Sequence, residues 1–167
     1  LSYISDIEQN ANVYSQRVST AFDNGSNVGT YPQYDLADQL KTVAKLISGG
    51  LKTKVFLVSL GGFDTHNAQI DITQGVTEGR HAVLLKTLSE SVKAFFSDLK
   101  SQGLDELVMA ASFSEFGRKV QENGNNGTDH GGMAPMFVFG KGLSGGVEGG
   151  NVDLSEATQS NNYQIQT

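Results

Sequence analysis

At the start of the chain, apolar side chains recur at spacings of three and four: Ile4, Ile7, Ala11, Tyr14, Val18 and Ala21. That period puts them on one face of an amphipathic helix over residues 2–22. The run Asp23-Asn24-Gly25-Ser26-Asn27 breaks it. A second helix is expected from Leu36 to Ser48, with Asp35 as N-cap, a stripe of Leu36, Leu40, Val43 and Ile47, and Gly49-Gly50 as its end. Lys54–Leu60 is a short, nearly unbroken apolar run, which reads as a strand buried on both faces and hence parallel. From Gly79 to Gln102 the helical period returns in Leu85, Leu88, Val92, Phe95 and Leu99, and Gly103 supplies the stop. Leu107–Ser112 and Pro135–Phe139 read as two further strands. Strand, helix, strand is the βαβ order, so the pattern predicts an α/β domain with a parallel sheet.

The length of 167 residues suits one domain. Residues 1–50 form a helical lead-in, 51–150 carry the sheet and site loops, and 151–167 read as a loop or disordered tail, where Ser, Asn and Gln replace the apolar pattern. The chain opens at Leu1 inside a helical pattern, which reads as a piece of a longer or processed protein. The formal net charge of −6, with basic residues scattered, argues against nucleic acid or an anionic membrane as partner. With no cysteine, disulfides and thiolate metal sites are excluded. No apolar stretch approaches the ~20 residues of a membrane span.

Two of the three histidines stand beside an aspartate in a glycine-rich segment. Gly61-Gly62-Phe63-Asp64-Thr65-His66 follows one apolar run, and Gly127-Thr128-Asp129-His130-Gly131-Gly132 precedes another. Carboxylate with imidazole is a donor set for a divalent metal. Asp64 and His66 are two apart, so in extended backbone they project to the same side. The alternative is a turn aspartate and a surface histidine. Asp129 and His130 are adjacent and cannot face the same way. One can bind metal while the other supports it, the pair can straddle two metals, or they can belong to an Asx-type turn. Glu115 is a further carboxylate candidate, or a first-turn glutamate after an N-cap Ser114. Arg118 suits an anionic substrate, or is a surface arginine. His81, at the start of the long helix, reads as surface or capping. In an open parallel sheet these loops would meet outside the carboxyl ends of the strands.

Five motifs in order carry a family resemblance. They are Val-Ser-Leu-Gly-Gly-Phe-Asp-Thr-His-Asn-Ala-Gln (58–69), Leu-Leu (84–85) with Ala-Phe-Phe-Ser-Asp-Leu (94–99), Ser-Glu-Phe-Gly-Arg (114–118), Glu-Asn (122–123) with Gly-Thr-Asp-His-Gly (127–131), and Val-Phe-Gly-Lys-Gly-Leu-Ser-Gly-Gly (138–146). Over roughly residues 1–150 the chain resembles the C-terminal part of the bacterial family catalogued as domain of unknown function 1501. That family is grouped with the alkaline phosphatase and sulfatase superfamily. The grouping implies a three-layer α/β/α fold with a mostly parallel sheet, and divalent metals (zinc, manganese, magnesium or calcium) at the strand ends. It implies Asp64, His66 and His130 as ligands of one metal, Glu115 as a ligand of a second, and a small anionic phosphate or sulfate ester as substrate. It also implies twin-arginine export to the periplasm or cell exterior, and a preceding N-terminal part holding the nucleophile. The alternative is a non-catalytic exported or surface protein that keeps the fold and one metal.

Overall fold

The computed structural model describes residues 2–149, 153–158 and 161–162. The expected loop or tail at 151–167 therefore lies partly outside the described residues; within it, Leu154–Glu156 forms a 3-10 turn. Two compact units emerge, Leu1–Leu60 with Thr87–Asp105, and Gly61–Lys86 with Glu106–Thr167.

The first unit is helical. Helix α1 spans Ser2–Asn24, α2 spans Asp35–Ser48, and α3, Arg80–Ser101, contributes the part from Thr87 onward. All three lie where the helical period places them. Asp35 is not the N-cap: Tyr34 holds that position with extended backbone, and Asp35 is the first helical residue. There it joins Asp38 in the first turn, where the helix dipole favours negative charge. Helix α3 ends as Gly103 requires. With φ of +69°, Gly103 turns the chain so that its N–H meets the Lys100 carbonyl and the Leu104 N–H meets that of Leu99.

The core of this unit is Ala21 from α1, Leu36, Ala37, Leu40 and Ala44 from α2, and Phe95 and Leu99 from α3. Along α1 the patterned stripe forms, but Ile4, Ile7 and Tyr14 remain exposed and only its last turn is covered. One acid lies inside this unit. Asp98 is fully buried and accepts hydrogen bonds from Asn27 Nδ2, Val28 N, Gly29 N, Tyr31 Oη and Gln102 Nε2, at 2.9 to 3.1 Å. It thereby fixes the 27–31 loop. Burial pushes its carboxyl up, but the bonds from Asn27, Val28, Tyr31 and Gln102 outweigh that and hold it below the usual carboxylate range.

The expected strand at Lys54–Leu60 is not formed among the described residues. Val55 and Leu57 are 81% and 78% exposed. The apolar run supplies strand propensity, but a strand exists only against a partner backbone. At Ser59 the side-chain amide of Gln39 takes that place, accepting from the N–H at 2.9 Å and donating to the carbonyl at 3.0 Å.

The second unit holds two small sheets. Strand β1, Met109–Ala111, pairs antiparallel with β4, Val138–Gly140. Strand β2, Gly117–Glu122, pairs antiparallel with β3, Thr128–Gly131, with Arg118 opposite His130. The expected three-layer α/β/α architecture with a mostly parallel sheet is therefore overturned: among the described residues, three α-helices and two antiparallel two-stranded sheets stand in its place. The physical reason lies in the connections. Parallel strands need a crossover between two paired partners, and 54–60 forms no strand among the described residues. The 123–127 connection is short, and short loops join antiparallel strands. The segment 117–131, expected as loops, is thus a hairpin. Its turn signal was present in Asn123-Gly124 and Asn126-Gly127, where Gly124 and Asn126 take positive φ.

Candidate metal centre

Segment 61–69 and the β2–β3 hairpin build the site. The alternation at 64–66 works as the spacing predicts. Asp64 and His66 project to the open side, and Thr65 between them is fully buried. The Thr65 hydroxyl donates to Gln69 Oε1 at 3.0 Å, and that oxygen also accepts from the Thr128 hydroxyl at 2.8 Å. Gln69 thereby ties the Asp-Thr-His segment to the start of β3. The tip of the hairpin docks on the same segment: Ala68 N and Gln69 N donate to the carbonyls of Asn125 and Asn126 at 3.2 and 2.8 Å. Gly127 makes the close approach possible, since a Cβ there would lie 2.4 Å from the His66 carbonyl.

Asp64, His66 and His130 converge, with one donor atom of each within 4.8 Å of the others. Asp64 Oδ1 lies 3.1 Å from His66 Nε2 and 2.8 Å from His130 Nε2. Donor atoms around a tetrahedral ion with bonds of about 2.0–2.2 Å lie about 3.3–3.6 Å apart, so the Asp64 oxygen would move out slightly and the two imidazole nitrogens, the wide edge of a group spanning 4.8 Å, would draw together. All three side chains are about half exposed.

The other acid of the pair does something different. Asp129 lies on β3 beside His130, outside the converging group, and meets His66 at its other ring nitrogen. Its Oδ1 contacts His66 Nδ1 at 3.1 Å and accepts from Asn123 Nδ2 at 3.3 Å, and Lys119 Nζ stands 3.7 Å from its other oxygen. Asn123 also donates to the His66 carbonyl at 2.8 Å. His66 is therefore held between two carboxylates, one at each ring nitrogen. A neutral imidazole carries one N–H and can donate to only one of them. If Nδ1–H serves Asp129, Nε2 presents a lone pair to an Asp64 oxygen. Positive charge is needed between them, from a proton or from a cation.

The electrostatics agree. The hydrogen bond with His130, outweighing partial desolvation and aided by His66 and Arg118, holds the Asp64 carboxyl below its usual range. Asn123, then His66 and Lys119, do the same for Asp129. Both acids are thus ready as anions near neutral pH.

The remaining expected residues are placed as follows. Arg118 lies on β2 with its side chain largely covered, and donates to the Phe63 carbonyl, to the Thr128 carbonyl at 2.7 Å and to Asp64 Oδ1 at 3.2 Å. Its fork links the Asp-Thr-His segment to the hairpin. Glu115 is exposed outside the converging group, on a cleft that it lines with Phe113, Phe116 and Met136. His81, the second residue of α3, is half-buried. Its ring meets Phe63 edge-on at 5.8 Å, and its buried Nδ1 has no hydrogen-bond partner among the described residues. Burial, then the Arg118 charge, lowers its pKa. Sequence reasoning missed Gln69, Asn123 and Phe116, which all act on the three converging residues from outside. The motifs containing them were visible, but their roles depend on contacts made across the hairpin.

One carboxylate and two imidazoles, carried by a segment and a hairpin, are what this geometry brings together. The family model described as a protein of unknown function (DUF1501) matches residues 12–167, and the chain belongs to that family. No curated protein and no solved structure matches it. Among the described residues, no helix is long and apolar enough to cross a membrane.

Proposed function

We propose that this domain binds one divalent metal ion through Asp64, His66 and His130, in the service of an exported hydrolase of the alkaline phosphatase and sulfatase type acting on phosphate or sulfate esters. The observation that carries the reading is His66 between two carboxylates, with His130 on the same Asp64 oxygen. Two imidazoles and one carboxylate favour zinc over magnesium, calcium or manganese, which suit oxygen ligands. Three protein ligands leave a position open. A metal there would supply Lewis-acid polarisation of a phosphoryl or sulfuryl oxygen. Asp129 orients His66 and sets its tautomer, and Arg118 holds Asp64 in place.

A second reading, a non-catalytic protein that keeps one metal, is favoured by a specific observation. Among the described residues, no serine or threonine hydroxyl touches Asp64, His66 or His130. Thr65, between two of them in sequence, is buried with its hydroxyl committed to Gln69. Covalent chemistry requires a positioned nucleophile.

Calorimetric titration of the purified chain with Zn²⁺ tests the metal. Saturable binding is expected, weakened about tenfold or more by His66→Ala or His130→Ala, since each removes a ligand. Equal affinity in the wild type and both variants would remove the proposal. With metal bound, little or no turnover of generic phosphate and sulfate esters is expected from the chain alone. Enzyme-like turnover abolished by His130→Ala would instead place the nucleophile within these residues.

A further inference from the structure

The two histidines of the cluster are held by different means. His66 has a carboxylate at its Nδ1, and that carboxylate is itself held by Asn123 and Lys119. His130 has no such support: among the described residues no group hydrogen-bonds its Nδ1. Its ring has two aromatic neighbours: His66, tilted by 31° at 4.8 Å, and Phe116, which lies closer and parallel. The Phe116 and His130 rings stack with centroids 4.0 Å apart and planes 6° from parallel. Phe116 lies just before β2, and the ladder that sets Gly117 opposite Gly131 and Arg118 opposite His130 brings the rings together. The Arg118 guanidinium stands 5.0 Å from the Phe116 ring and bonds Asp64, so the aromatic ring has a charged neighbour that also belongs to the site.

The geometry points to Phe116 as the positioning residue of His130, doing by ring stacking what Asp129 does for His66 by hydrogen bonding. This rests on the metal reading above and deepens it. A half-exposed histidine on a short strand rotates about two side-chain torsions, and a ligand must hold its nitrogen within a few tenths of an ångström of the required place. A parallel ring restricts the imidazole plane and leaves Nε2 aimed at Asp64. Aromatic pairs contribute modestly beyond the area they bury. The gain appears as pre-organisation of the ligand set and not as a bond to the metal.

The test is a double-substitution cycle on the full chain, read by Zn²⁺ affinity with thermal melting in parallel. Phe116→Leu, which keeps bulk but removes the ring, should weaken Zn²⁺ binding about three- to tenfold. Phe116→Tyr, which keeps the ring, should bind as the wild type does. In a His130→Ala background, Phe116→Leu should cause no further loss, because the ring then has nothing to orient. An equal loss in the presence and absence of His130 would show that Phe116 acts on the fold in general and would overturn the assignment. So would unchanged affinity in Phe116→Leu while His130→Ala still weakens binding. If His130→Ala itself leaves Zn²⁺ affinity unchanged, it is the metal reading that fails, and the assignment with it.

Discussion

Replacing Asp98 by alanine tests the organisation of the helical unit most sharply. The carboxylate is fully buried and takes five hydrogen bonds, two of them from the backbone N–H groups of Val28 and Gly29. The side-chain donors Asn27, Tyr31 and Gln102 can turn toward water when the acid is removed. The two backbone donors can do so only if the loop opens. Leaving a buried donor unsatisfied costs about 1–3 kcal/mol. Two of them, with some relaxation, place Asp98→Ala at about 3–5 kcal/mol, within the range found when one partner of a buried charged cluster is removed. Asp98→Asn should fall between. Its carbonyl can still serve Val28, Gly29 and Gln102, all on Oδ1, while its NH₂ meets donors at Asn27 and Tyr31.

Urea unfolding followed by far-ultraviolet circular dichroism measures the difference. The pH dependence has a fixed sign. The folded pKa of Asp98 is lowered, so its contribution is fully present above the unfolded value of about 3.9. It is lost as pH falls from there through the lowered folded value. The gap between wild type and Asp98→Ala should therefore be constant near neutral pH and narrow under acid. A difference of less than about 1 kcal/mol at neutral pH would refute the hub.

Asp129→Asn should weaken Zn²⁺ binding about 10–100-fold while leaving the ligand set intact, because it removes the anion that fixes the His66 tautomer; unchanged affinity in the same titration would count against that role. Gly127→Ala should destabilise the second unit by about 1–3 kcal/mol in urea melts, because the new methyl meets the His66 backbone. It should also weaken metal binding, and an unshifted melt would mean that the close approach is dispensable. Arg118→Lys should lose about 1–3 kcal/mol, since one ammonium cannot reach the Phe63 and Thr128 carbonyls and Asp64 together. Wild-type stability in that variant would show that the fork is not needed.

The helices and the chemistry of the site could be read from local signals. A repeat at three and four is a property of neighbouring residues, so 2–22, 36–48 and 79–102 each became a helix to within a residue or two. The stop at Gly103 followed from the conformation glycine allows. Asp64 and His66, two apart, meet at one carboxylate oxygen, and Asp129 reaches His66 at its other ring nitrogen.

Pairing was different, because a strand's direction depends on which backbone it meets. The run 54–60 has the composition of a buried parallel strand, yet among the described residues its one backbone partner is the Gln39 side chain. The two-stranded pairs that do form are antiparallel. By residue type Arg118 suited an anionic substrate or the bare surface, and only the folded chain placed two carbonyls and Asp64 within its reach. The same holds for Gln69, Asn123 and Phe116, whose partners lie dozens of residues away or become neighbours only through the register of β2 and β3. Local periodicity and the donor types at Asp64, His66 and His130 were written in the sequence by itself. Strand direction, and the residues that hold those three in place, were decided by tertiary contact, because each depends on which distant group the backbone brings within about 3 Å.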